Sequence, residues 1–147
     1  MTIESRRTPC VGICSTTYGD LVCRGCRRFA HEVVAWNGYT EAQRARVWER
    51  LVTLRDAATD MYLEIVEPAL FDAATSALPM PPDASALARA YELLRRRARV
   101  LSDLAAVGIR PRRAHADTAS ALRDAIDAEF HLRSVAVYER SFHVVVE

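Results

Sequence analysis

Residues 40–65 read TEAQRARVWERLVTLRDAATDMYLEI, and this stretch decides the fold class. Thr40-Glu41-Ala42-Gln43 has the form of a capping box, in which the residue at the N-cap and the one three positions on each satisfy a backbone N–H of the other. Beyond it Val47, Leu51, Leu54, Ala58, Met61 and Ile65 recur at spacings of four and three, which lines them along one face of an α-helix. The pattern predicts one long helix over 40–66, ended by Pro68, whose ring cannot continue the hydrogen-bond ladder. Pro68 can also open a short second segment through Leu78, after which Pro79-Met80-Pro81-Pro82-Asp83 is the clearest linker in the chain.

Downstream of that linker the same spacing returns. Leu87, Tyr91, Leu94, Ala98, Leu101 and Ala105 predict a second long helix over 84–107, closed by Gly108 as a C-cap. Two matched seams predict an antiparallel helical pair joined through Leu51, Leu54, Leu94 and Leu101. Arg95, Arg96, Arg97 and Arg99 form a basic run, yet Glu92 precedes Arg96 by four and Asp103 follows Arg99 by four, so a solvated, ion-paired face accounts for most of them. Further on, Asp117 is placed to cap a helix through Phe130 that uses Leu122 and Ile126. Val135-Ala136-Val137-Tyr138 and Phe142-His143-Val144-Val145-Val146 are then strand formers that can pair as a C-terminal β-hairpin.

Upstream of the long helix the chain changes character. All four cysteines of the 147 residues lie in the first 26, as Cys10, Cys14, Cys23 and Cys26, in the spacing C-x3-C-x8-C-x2-C. Gly12 and Gly25 let each pair turn its sulfurs inward, and Tyr18-Gly19-Asp20 is a turn signal that folds the second pair back on the first. Four thiolates brought together by short loops are a tetrahedral metal site. The alternatives are a reactive dithiol and two disulfides. The start of the chain has no apolar core of a secretory leader and no later run is apolar enough to span a membrane, which predicts a cytoplasmic protein, a compartment where disulfides are rare. After Cys26, Phe29, Val33 and Trp36 make one apolar stripe stopped by Asn37-Gly38, so Cys26 is expected near a helix N-terminus, which favours the thiolate. Arg24, Arg27 and Arg28 beside it read as compensation for the negative charge of a tetrathiolate site in preference to a nucleic-acid patch.

Pro9-Cys10-Val11-Gly12-Ile13-Cys14, Asp20, Cys23-Arg24-Gly25-Cys26-Arg27-Arg28, Glu32-Val33 and Trp36 together resemble domain-of-unknown-function family 1289, small bacterial proteins commonly described as predicted iron-sulfur proteins. The resemblance covers roughly the first third of the chain. It implies a metal or cluster on the four cysteines and no settled reaction. Phe29-Ala30-His31 departs from the polar and acidic residues expected after the last cysteine, which bears on the helix surface and leaves the ligands intact. The ligand set accepts zinc or an iron-sulfur cluster; the C-x-G-C knuckle favours zinc, while the family description favours iron-sulfur.

Composition bounds the rest. The chain is half hydrophobic and about a quarter charged, with a formal net charge of +1 and arginine as its only strongly basic residue type. This is the composition of a globular protein, and its charge gives no overall case for binding nucleic acid or membrane lipid. His31, His115, His131 and His143 are scattered, and no phosphate loop or nucleophile elbow is present. The expectation is therefore a mainly α protein: a four-cysteine module over 1–55, then a helical extension over 56–147. It should be a non-enzymatic accessory or regulatory protein, acting on a protein partner through binding. An iron-sulfur electron carrier or redox sensor serving an oxidoreductase is the alternative, and a nucleic-acid-binding zinc module using Arg24, Arg27 and Arg28 is the second.

Overall fold

The structure, a computed structural model, describes residues 8–12 and 14–142. Its elements are α1 (Ala30–Ala35), α2 (Glu41–Tyr62), β1 (Leu63–Ile65), α3 (Pro68–Thr75), α4 (Ala86–Arg97), β2 (Ile109–Pro111) and α5 (Ala119–Phe142). The protein is mainly helical, as its sequence predicts. Among the described residues, no helix is long and apolar enough to cross a membrane.

The capping box forms as read. The Thr40 hydroxyl accepts the Gln43 N–H at 3.2 Å and the Gln43 side-chain oxygen accepts the Thr40 N–H at 2.8 Å. The helix stops at Tyr62, however, and Leu63, Glu64 and Ile65 leave it as β1, paired antiparallel with β2 in the register Leu63↔Pro111, Glu64↔Arg110 and Ile65↔Ile109. Period alone does not separate the two outcomes, because Leu63 and Ile65 lie on one side of a strand and both pack into the core. The partner strand decides it, and Glu64 ion-pairs with Arg110 and Arg112 across the ladder. Pro68 then opens α3 at its first turn.

The second seam is interrupted. Ser85 caps α4 by accepting the Ala88 N–H at 3.1 Å, but the helix ends at Arg97, ten residues short of the expectation. Asp103 does not pair along a helix with Arg99; its carboxylate accepts the Ala105 N–H at 3.0 Å, a local bond that competes with helix. Gly108 is indeed left-handed (φ 75°), yet it closes a 3-10 turn over Ala105–Val107. A Cβ there would lie 2.4 Å from the Glu67 carbonyl oxygen, so the position admits only glycine. Its own carbonyl accepts the Val66 and Glu67 N–H groups, fixing the turn that brings β2 to β1.

The tail corrects the hairpin expectation most clearly. Residues 119–142 form one helix, with Leu122, Ile126, Phe130 and Ser134 buried along one face, so the first arm of the proposed hairpin is helical and His143–Val146 lie outside the described residues. Strand propensity yields to packing here: Tyr138 meets Phe29 edge-on with ring centroids 5.1 Å apart. The cap is Thr118, whose hydroxyl accepts the Ala121 N–H, not Asp117. α2 packs on α4 and most extensively on α5. The pair α2/α5 runs antiparallel: Tyr62 at the end of α2 meets His115 just ahead of α5, while Arg50, further back, covers Phe29, which Tyr138 and Phe142 also touch. Leu51 and Leu94 are buried in the shared core, with Leu54 and Leu101 packed against it.

Candidate metal centre

The cysteine segment is a small hairpin followed by α1. Val22 bridges Phe29, the Ala30 N–H donates to the Leu21 carbonyl at 2.8 Å, and the Cys23 N–H donates to the Arg28 carbonyl at 2.9 Å. Cys23-Arg24-Gly25-Cys26 sits at the tip. The turn closes because Arg27 takes a left-handed conformation (φ 65°) and donates its N–H to the Cys23 carbonyl at 2.8 Å. That conformation costs a non-glycine residue roughly 1–2 kcal/mol. The Arg27 side chain is anchored in compensation: it bonds the Gly25 and Asp127 carbonyls at 3.1 Å each, and its guanidinium lies 4.8 Å above the Phe130 ring.

The first pair is held by a different turn. Gly12, left-handed at φ 91°, donates its N–H to the Cys10 sulfur at 3.3 Å. Cys14 precedes a 3-10 turn over Ser15–Tyr18, and its sulfur lies 2.9 Å from the Thr16 hydroxyl. Ser15 joins the two pairs: its hydroxyl accepts the Arg24 N–H at 2.8 Å, and its own N–H reaches the Cys23 sulfur.

The four sulfurs therefore sit among donors. The Thr16 hydroxyl, with help from the Thr16 and Thr17 amides, holds the Cys14 thiol below its ordinary value against a smaller opposing effect of burial. Burial pushes the Cys23 thiol up, but the N–H groups of Cys26, Ser15 and Gly25 outweigh it and bring it down to about 7. Cys26 is raised, because burial there exceeds the pull of Arg28, whose Nε donates to its sulfur at 3.3 Å. None of the four cysteines is joined in a disulfide; Cys10 is exposed, Cys14 half-buried, and Cys23 and Cys26 are buried. Among the described residues, no three Cys, His, Asp or Glu side chains converge closely enough to hold a metal ion. The turns bring the pairs side by side without closing the four sulfurs into one tetrahedron.

Two expectations about the neighbours change. Cys26 does not lie at the N-terminus of α1, which begins four residues later; its partner is the Arg28 side chain. Arg27 and Arg28 are buried, so neither is placed to reach a nucleic-acid phosphate, and of the three arginines only Arg24, 69% exposed and paired with Asp20 at 3.3 Å, faces water. The histidines are dispersed: His31 meets Phe29 at a tilt and Phe142 edge-on, His115 lies against Tyr62, and burial together with Arg27 and Arg24 lowers the pKa of His131. His143 lies outside the described residues.

Sequence reasoning missed what holds this segment to the body. Glu32 on α1 is buried, and its carboxylate accepts the Phe29 N–H at 2.8 Å and two bonds from Arg50 of α2 at 2.5 and 2.7 Å. The Arg50 guanidinium lies 3.9 Å above the Phe29 ring. Glu32 stands three residues after Phe29, which is the capping-box offset, and that spacing was the signal available. No curated protein and no solved structure matches the chain. Residues 8–55, from the threonine ahead of the first cysteine pair to Arg55 in α2, match the family described as Protein of unknown function (DUF1289), so the four-cysteine third of the chain is similar to that family.

Proposed function

We propose that Cys10, Cys14, Cys23 and Cys26 hold one zinc ion in a structural tetrathiolate site, and that the protein works as a cytoplasmic accessory or regulatory subunit through binding to another protein rather than by catalysis. The observation that carries this reading is the donor set. Each of the four sulfurs accepts a hydrogen bond from an N–H of its own turn or its neighbour, Cys14 from the Thr16 and Thr17 amides. A thiolate kept as a metal ligand needs such donors to spread its charge, whereas a disulfide sulfur has no charge to spread. Arg28 on Cys26 adds a full positive charge beside a site whose net charge as a zinc tetrathiolate is about −2. Zinc supplies cross-linking here, because the segment around it has few apolar residues of its own to order it. Four protein ligands leave no open position for substrate, which argues against hydrolytic chemistry.

Hydrogen exchange tests the structural role. On chelation the amides of residues 10–36 are expected to lose protection while those of Leu87–Leu94 keep it; protection that survives in the cysteine segment overturns the assignment. A second reading, an iron-sulfur electron carrier or redox sensor, draws on the same N–H···S bonds and on the buried arginine, which are also the groups that set a cluster's potential. A visible charge-transfer spectrum would favour it over zinc.

A further inference from the structure

A cavity of about 330 Å³ lies where the cysteine segment meets α2, α4 and α5. That volume falls at the lower end of the range of small-molecule sites, about 300–1,000 Å³. Pro9 and Val11, on either side of Cys10, and Cys26 of the second pair contribute to its lining. The rest of its apolar lining comes from Trp48, Leu51 and Val52 of α2, Tyr91 of α4 and Phe130 of α5. Four arginines, Arg24, Arg27, Arg55 and Arg95, line it against two acidic residues, Glu92 and Asp127.

Both carboxylates are already engaged. Glu92 spends one oxygen on Arg95 and Arg96 and the other on Arg95 again, and Asp127 accepts the Tyr91 hydroxyl at 2.9 Å and faces Arg27 at 3.7 Å. They have little left to offer a cation. A guanidinium carries five N–H donors; Arg24 bonds Asp20 through Nε, and Arg95 bonds Glu92 through Nε and one terminal nitrogen, which leaves donors on both for a further acceptor. The geometry points to a binding site for a small organic anion with a flat apolar body, such as a one- or two-ring aromatic carboxylate. Its rings stack among Trp48, Tyr91 and Phe130 and its anionic group meets Arg24 and Arg95. The volume excludes a dinucleotide. The site goes beyond the metal assignment and does not depend on it.

The test is calorimetric titration of the full chain, purified without air, with 2-naphthoate and with neutral 2-naphthamide. One naphthoate per chain is expected, with the amide about tenfold weaker or more for want of the charge. Arg24→Gln, at an exposed position, and Val52→Trp, which fills the cavity, are each expected to weaken naphthoate about tenfold, while Thr53→Trp, one residue away and exposed, leaves it unchanged. Equal affinity for acid and amide, no naphthoate binding, or unchanged binding by Arg24→Gln overturns the site. Metal content measured on the same samples keeps the two readings apart, because metal-free protein that still binds naphthoate sinks the zinc assignment and supports this one.

Discussion

Glu32→Ala is the sharpest test of how the cysteine segment is tied to the helices. The Glu32 side chain is 8% exposed and that of Arg50 20% exposed, and their bidentate pair is the link between α1 and α2. Removing one partner of a buried ion pair costs about 3–5 kcal/mol, because the other charge is left without compensation. Water reaches part of Arg50 and recovers some of this, while the Phe29 N–H loses its acceptor in a residue only 3% exposed. The balance is about 2–4 kcal/mol. Glu32→Gln keeps an acceptor for the Phe29 N–H and loses the charge, so about 1–2 kcal/mol is expected. Urea unfolding of both variants, followed by circular dichroism on protein purified without air, reads the loss directly. Adding Arg50→Met to Glu32→Ala should cost much less than the sum of the two single changes, since the stranded charge disappears. A loss under about 0.5 kcal/mol for Glu32→Ala, the level of an ordinary surface substitution, would refute the argument that this pair docks the segment.

Leu94→Ala, at a residue 1% exposed in the core, should destabilise by about 2–5 kcal/mol in the same assay. Gly108→Ala should prevent the β1/β2 turn from closing, because the added Cβ meets the Glu67 carbonyl; lost protection of the Val66 amide in hydrogen exchange is the readout. Burial works to raise the Glu92 pKa, but the hydrogen bonds from Arg95 and Arg96 outweigh it and hold the carboxyl below its ordinary value of 4.5. A folded-state pKa below the unfolded one means that this contribution is fully present above about pH 4.5 and is lost as pH falls through the lower folded value. Glu92→Gln should therefore flatten the acid limb of the stability curve, and an unchanged acid limb would remove Glu92 from the account.

The parts of the fold legible in sequence were those set by local chemistry. The Thr40–Gln43 box, the seam of α2 and the paired cysteine turns each depend on residues a few positions apart, and each formed. The failures came where distant partners decided. Ile65 fits a helical seam and a strand equally well, and only Ile109, 44 positions away, selects the strand. Val135, Val137 and Tyr138 have strand propensity, yet the aromatic contacts of Tyr138 with Phe29 and Phe142 draw them onto the end of α5. At the candidate site, the cysteines were visible from spacing, whereas the burial of Arg27 and Arg28 was not, because it depends on Phe130, Asp127 and Trp36 lying above and beside them. The cavity was out of reach for the same reason, being lined by the cysteine segment together with α2, α4 and α5, which are separated along the chain.

The measurement that bears most directly on the central claim is metal content per chain, with a visible spectrum and a thiol titration, on full-length protein purified without air. One zinc per chain, a colourless solution, no thiol titrating before denaturation, and loss of the metal in Cys23→Ser are the results expected. Four freely titrating thiols in native protein with neither zinc nor iron would contradict it.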